Sequence, residues 1–317
     1  MTFTHKLIST FILVVLFTKS FAQTTDSLAM AQVAQKMIFP VTITKGQKML
    51  PPIVSPPGYR VDLKGSDHLP VIALDGKITE PLTDVNVNLF YQLTNQSNLV
   101  IIDLPTVRLL IPGKFVDHKS NNPKPFVIPA LQEWHGGTGS FKIGKQSRIV
   151  IKDKNKDLAE VAALLKKDLL TYNYDLRIVT DNPKKGDVVL SLNNDDNSLG
   201  NEGYYLDIDQ QINMTAFKKR GLIWATRTLL QLLEQAGTKA DLPKGICRDY
   251  PKYEVRGLVL DVARKFFTIG FLRDYVKFMS YYKMSEFHIH LNDNGFPGFF
   301  NNDWNKVKAA FRLENST

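Results

Sequence analysis

Two stretches decide the fold: Arg256-Gly257-Leu258-Val259-Leu260-Asp261-Val262-Ala263-Arg264-Lys265-Phe266-Phe267, and Phe287-His288-Ile289-His290-Leu291-Asn292-Asp293-Asn294. Val255 to Ala263 is an almost unbroken apolar run, the pattern of a parallel strand buried on both faces. Thr268 has the side chain of an N-cap, and Phe271, Leu272, Tyr275, Val276, Met279 and Tyr282 recur at helical spacing behind it. Glu286 to Leu291 predicts the next strand. Strand, helix and strand at such close spacing make a βαβ unit, which opens a (β/α) barrel or a doubly wound sheet equally well.

Period-two alternation puts His288 and His290 on one face of the second strand and Phe287, Ile289 and Leu291 on the other. In a barrel the histidine face can point inward, with Asn292, Asp293 and Asn294 at the strand's C-terminal end, where barrel enzymes hold their active sites. Three readings fit the two imidazoles: a metal pair, satisfied interior histidines, or the wall of a polar pocket. No third metal ligand is evident. Asp261 sits among Val, Leu and Ala, where an unpaired carboxylate costs several kcal/mol, so it requires an Arg, a His or backbone N–H groups. Arg264, three residues on, offers a planar fork of donors to hydroxyls or to an acid.

Working outward, the chain of 317 residues, 44% hydrophobic, is long enough for two or three domains. Lys6, the apolar run Leu7 to Phe17 and Ser20-Phe21-Ala22 have the plan of a signal peptide cleaved after Ala22. That run is shorter than the ~20 residues a bilayer span needs, so no membrane span is expected. The reading is an exported chain, periplasmic or extracellular. The lone Cys247 cannot form an intramolecular bridge, so stability must come from apolar cores. The formal charge of +9 is spread over scattered lysines with few aromatics nearby, which argues against nucleic acid as a partner.

Three regions follow the leader. Residues 23–130 carry alternation at Val85, Val87, Leu89 and Tyr91, apolar runs Leu99 to Ile102 and Val107 to Ile111, and dense turn chemistry, predicting an all-β sandwich-like module. Residues 131–250 predict a small α+β domain. Its helices are Lys156 to Leu170 and Phe217 to Leu233, and its strands lie within Phe141 to Ile151 and at Leu176 to Val179, Asp187 to Leu190 and Tyr204 to Ile208. Pro243 to Pro251 reads as a linker. Residues 251–317 hold the βαβ unit.

From about Leu131 to Asn294 the sequence resembles glycoside hydrolase family 20, the β-N-acetylhexosaminidases. The resemblance rests on Asp249-Tyr250-Pro251-Lys252-Tyr253-Glu254-Val255-Arg256-Gly257, on Asp261-Val262-Ala263-Arg264 and on His288-Ile289-His290-Leu291-Asn292-Asp293. It also includes the helix Trp224-Ala225-Thr226-Arg227-Thr228-Leu229-Leu230-Gln231-Leu232-Leu233. It implies a multidomain fold that ends in the first βαβ units of a (β/α)8 TIM barrel. It further implies that Arg264 binds hydroxyls of a terminal N-acetylhexosamine, that Asp293 orients a histidine further along, and that Asp261 and His290 support the site. The family's mechanism is retaining and substrate-assisted and needs no cofactor or metal: an Asp polarises the acetamido group, and the adjacent Glu is general acid and then base. Lys265 stands where the family has His, and Asn294-Gly295 where it has Asp-Gln.

The Asp-Glu pair belongs to a later strand, and no Asp is followed directly by Glu in this sequence. From Pro251 there are 67 residues, against about 250 in a whole barrel. The expectation is therefore a fragment of an exported hexosaminidase, inactive alone, with its catalytic pair beyond residue 317. A non-catalytic carbohydrate-binding envelope protein is the alternative.

Overall fold

The computed structural model describes residues 26–291 apart from 41, 154, 194–196 and 240, together with 298, 301, 303 and 306. The leader expected at residues 1–22, together with Asn292, Asp293, Asn294 and Gly295, lies outside the described residues. The chain divides into two compact units between Val116 and Asp117.

In the first unit a helix, α1, spans residues 26–35, and one antiparallel sheet contains β1 (Tyr59–Ser66), β2 (Val85–Asn95), β3 (Ile101–Asp103) and β4 (Val107–Ile111). β2 is the longest strand and pairs with all three others. Its alternation works as the sequence suggests: Val87, Leu89, Tyr91 and Leu93 are buried while Phe90 is exposed. A sandwich needs a second sheet, and among the described residues this unit has one. Residues 67–84, rich in Asp, Pro and Gly, make turns and the isolated bridge Ile72↔Ile78, because turn residues and Pro interrupt ladder pairing.

The second unit centres on a seven-stranded mixed sheet. Its strands are β5 (Glu133–Lys142), β6 (Arg148–Ile151), β7 (Arg177–Val179), β8 (Val188–Leu192), β9 (Tyr204–Ile208), β10 (Ile212–Ala216) and β11 (Asp241–Asp249), in the order β5-β11-β9-β10-β8-β6-β7. Helix α2 (Lys156–Leu170) buries Leu158, Val161, Ala162, Leu165 and Leu169, the stripe legible in its sequence, and Asn155 caps it by accepting from the Asp157 N–H. Helix α3 (Lys219–Ala236) is buried well beyond a stripe, so its polar residues need partners. Arg227 pairs with Asp168, Thr228 with Tyr204, and Gln231 bonds both the N–H and the C=O of Ile128.

The linker expected at Pro243 to Pro251 is instead mostly strand. β11 lies between β5 and β9, and the register shift between Pro243 and Gly245 accommodates the proline, which has no N–H to give the ladder. A Cβ on Gly245 would fall on the Trp134 ring, so the glycine reflects close packing and not a loop.

Arg148 joins this sheet to the turn at residues 181–187: its Nη2 donates to Asp187 Oδ2 at 2.6 Å and its Nε to Asp187 Oδ1 at 3.1 Å. Burial would raise the Asp187 carboxyl, but the bonds from Arg148, joined by the Lys184 N–H that donates to Oδ2 at 2.7 Å, outweigh it and hold it below the usual carboxylate range. A depressed folded value contributes stability that is present at neutral pH and lost as pH falls through it. Asp187→Asn should therefore cost roughly 3 kcal/mol at pH 7. In thermal melts across pH, the gap between variant and parent should close below the usual carboxylate range, and a gap that is constant with pH would refute this origin.

β12 (Gly257–Asp261), α4 (Ile269–Tyr281) and β13 (Glu286–His290) form the predicted parallel βαβ unit. Thr268 caps α4 by accepting from the Phe271 N–H at 3.1 Å. Burial on both faces does not hold for β12: Val259 is 70% exposed. Among the described residues β12 pairs only with β13, and a two-stranded sheet leaves an edge and part of a face uncovered.

Candidate functional site

The C-terminal end of β12 gathers the first group of polar side chains. The parallel register places Asp261 beside His290 and Val259 beside His288, so the acid and the second histidine share a face. His290 is half-buried and His288 exposed. Asp261 obtains the partners its apolar surroundings demand from the turn directly after it. Its Oδ1 accepts from the N–H groups of Ala263 at 3.0 Å and Arg264 at 3.1 Å, and its Oδ2 accepts from Arg264 Nε. The backbone bond from Arg264 is the main reason the Asp261 carboxyl is held below its usual range, with the guanidinium reinforcing it.

Arg264 is thereby anchored through Nε while 45% of its side chain is exposed. The geometry leaves the guanidinium at a strand end, oriented by a carboxylate, where it can meet a hydroxyl or carboxylate ligand. Thus Asp261, Arg264 and His290 are brought together, and Asp293 lies outside the described residues. Among the described residues, no group of three His, Cys, Asp or Glu side chains is arranged to hold a metal ion.

A second concave region went unnoticed in the sequence because its residues come from five separate segments. A cavity of about 280 Å³ lies between the end of β11 and the start of β12, walled by Pro129, Trp224, Tyr250, Pro251 and Tyr253. Two ion pairs stand in its lining. Lys283 Nζ donates to Asp249 Oδ2 at 2.9 Å and to Tyr204 Oη at 2.8 Å; Tyr204 donates to the same Asp249 oxygen at 2.6 Å. Burial first, and the Asp249 charge second, push the Tyr204 phenol well above its ordinary value, so it stays a neutral donor.

Glu202 completes the second pair. It receives Arg256 Nη2, Arg220 Nη1 at 3.0 Å and Trp224 Nε1 at 3.3 Å. Arg256 Nε also donates to the carbonyl of Lys283 at 2.9 Å, which helps hold Lys283 at its left-handed φ of 56°. One signal was available: Asp249, Tyr250, Pro251, Tyr253 and Arg256 all fall in one short motif.

Comparison with known proteins finds matches over the second compact unit. Residues 124–250 match domain 2 of glycosyl hydrolase family 20, and residues 253–300 match that family's catalytic domain. A β-hexosaminidase of Vibrio furnissii is 30% identical over 173 residues, 54% of this chain and 26% of that protein. A β-hexosaminidase of Akkermansia muciniphila is 36% identical over 99 residues, 31% of this chain and 20% of that protein. Among solved structures, the family 20 β-N-acetylhexosaminidase of Streptomyces coelicolor A3(2) is similar at 28% identity and a TM-score of 0.49, covering 55% of this chain and 36% of that one. The chain spans about a quarter of the length of the first of these curated relatives and a fifth of the second.

Proposed function

The chain belongs to glycosyl hydrolase family 20 over residues 124–300, and from that premise we propose that it is part of an exported β-N-acetylhexosaminidase. In this reading β12, α4 and β13 open a (β/α)8 barrel, and the enzyme removes terminal N-acetylhexosamine from glycans with retention, the substrate's own acetamido oxygen attacking the anomeric carbon. Arg264 holds hydroxyls of the terminal sugar. Asp261 fixes that guanidinium, and His290 lies beside Asp261 in register. The observation that carries the reading is the anchored Arg264 at the C-terminal end of β12, inside the catalytic-domain match. The signal peptide at residues 1–22, the β module to residue 130, the α+β domain at 131–250 and the barrel start at 251–317 are the arrangement proposed with it.

The catalytic Asp and Glu are adjacent in the family, and this sequence has no such pair. The 317-residue chain should therefore release no p-nitrophenol from p-nitrophenyl N-acetyl-β-glucosaminide above a heat-killed control. Turnover would show that the acid and the acetamido-polarising group are supplied otherwise. The coding sequence separates this enzyme from a non-catalytic carbohydrate-binding envelope protein. An in-frame continuation with an adjacent Asp-Glu at a strand end supports the enzyme, and a stop codon after Thr317 supports the binder.

A further inference from the structure

We propose that the cavity between β11 and β12 is a small-molecule site for a neutral, ring-sized polyhydroxyl ligand of the monosaccharide class. Size is the first reason. About 280 Å³ is nearly twice the ~150 Å³ of an apolar cavity that takes up benzene, enough for one substituted six-membered ring. The second is the character of the walls. Trp224, Tyr250 and Tyr253 offer flat apolar surfaces with polar edges, which suit a ring with one apolar face and hydroxyls around its rim.

Charge selects against ions. Of the charged residues in the lining, Lys283 is matched by Asp249 and Arg256 by Glu202, so an ion would have to compete with a buried partner, and the remaining one, Lys252, is solvent-exposed, where water and salt screen its charge. Hydrogen-bonding capacity nevertheless remains, which selects against hydrocarbon. An ammonium has three protons, and the bonds of Lys283 to Asp249 and Tyr204 use two, leaving one N–H on a side chain that is 7% exposed. Glu202 holds lone pairs beyond those taken by its three donors. These groups are fixed before any ligand arrives: Trp224 on α3, Asp249 at the end of β11 and Lys283 clamped through its carbonyl by Arg256. Little rotamer freedom is left to lose on binding, which favours even a small ligand. Arg264 does not line this cavity, so the inference is independent of the sugar-binding role proposed for that residue.

The test titrates the 317-residue chain with N-acetylglucosamine and follows the indole N–H resonance of Trp224, assigned by its loss in Trp224→Phe. We expect a saturable shift of that resonance, unchanged in Arg264→Ala and at least tenfold weaker in apparent affinity in Lys283→Met. Because Lys283→Met also removes a partner of buried Asp249, Tyr253→Ala serves as a second variant; Tyr253 is 67% exposed, so its loss should spare the fold and weaken binding about threefold to tenfold. The absence of a saturable shift, a shift abolished by Arg264→Ala, or an affinity unmoved in folded Lys283→Met and Tyr253→Ala would each overturn the site.

Discussion

Replacing Arg264 by alanine in a version of the protein with a complete catalytic barrel should lower kcat/KM on an aryl N-acetyl-β-glucosaminide by about 30- to 150-fold, equivalent to about 2–3 kcal/mol of transition-state stabilisation. The magnitude is that of charge-assisted hydrogen bonds to the hydroxyls proposed as its ligand, made by a side chain that is 45% exposed in the free protein. Asp261 holds the guanidinium through Nε, so the proposed contact with substrate falls to the Nη side of the fork. Arg264→Lys keeps the charge and loses the fork, and should recover little of the loss. Asp261→Asn retains an oxygen for the backbone N–H groups but gives up the charge that fixes the guanidinium, so an intermediate loss of about tenfold is expected, chiefly in KM. The Asp261 carboxyl lies below its usual range, so the anchor should be intact throughout neutral pH and fail only as pH falls through that depressed value. Unchanged kcat/KM in Arg264→Ala would remove the residue from the site.

How much of this could be read from the chain depends on how local each signal is. α2, β9 and β4 were legible to the residue because each is a single local pattern, an amphipathic period in the helix and a short, mostly apolar run in the strands. β5 was not, since Gly136, Gly137 and Gly139 give it almost no β-propensity; its pairing with β11 comes from tertiary context. β11 was hidden for the same reason by Pro243 and Gly245. At the site, the partner of Asp261 was within reach of the sequence because it lies three residues away. The alignment of Asp261 with His290 needed the parallel register, and the cavity needed five segments to meet. No sequence period encodes either.

The buried pair Arg248–Glu133 provides the largest stability effect expected within the α+β region. These residues face each other across β11 and β5, with 1% and 0% of their side chains exposed, and Tyr250 lies 5.3 Å from the guanidinium. Burial works against a charged Arg248, and the Glu133 charge outweighs it. Arg248→Met leaves the buried Glu133 carboxylate without its cation and should cost about 3–5 kcal/mol in urea unfolding. The cost reflects the desolvated charge left behind more than the worth of the pair, because two desolvation penalties offset most of the attraction between the ions. The double variant Arg248→Met with Glu133→Leu should therefore regain most of the lost stability even though it deletes both ions. If the double variant is as unstable as the sum of the two single variants, the two ions are not coupled and a stranded charge is not the origin of the cost; if Arg248→Met costs less than about 1 kcal/mol, water or another donor satisfies Glu133 without the guanidinium.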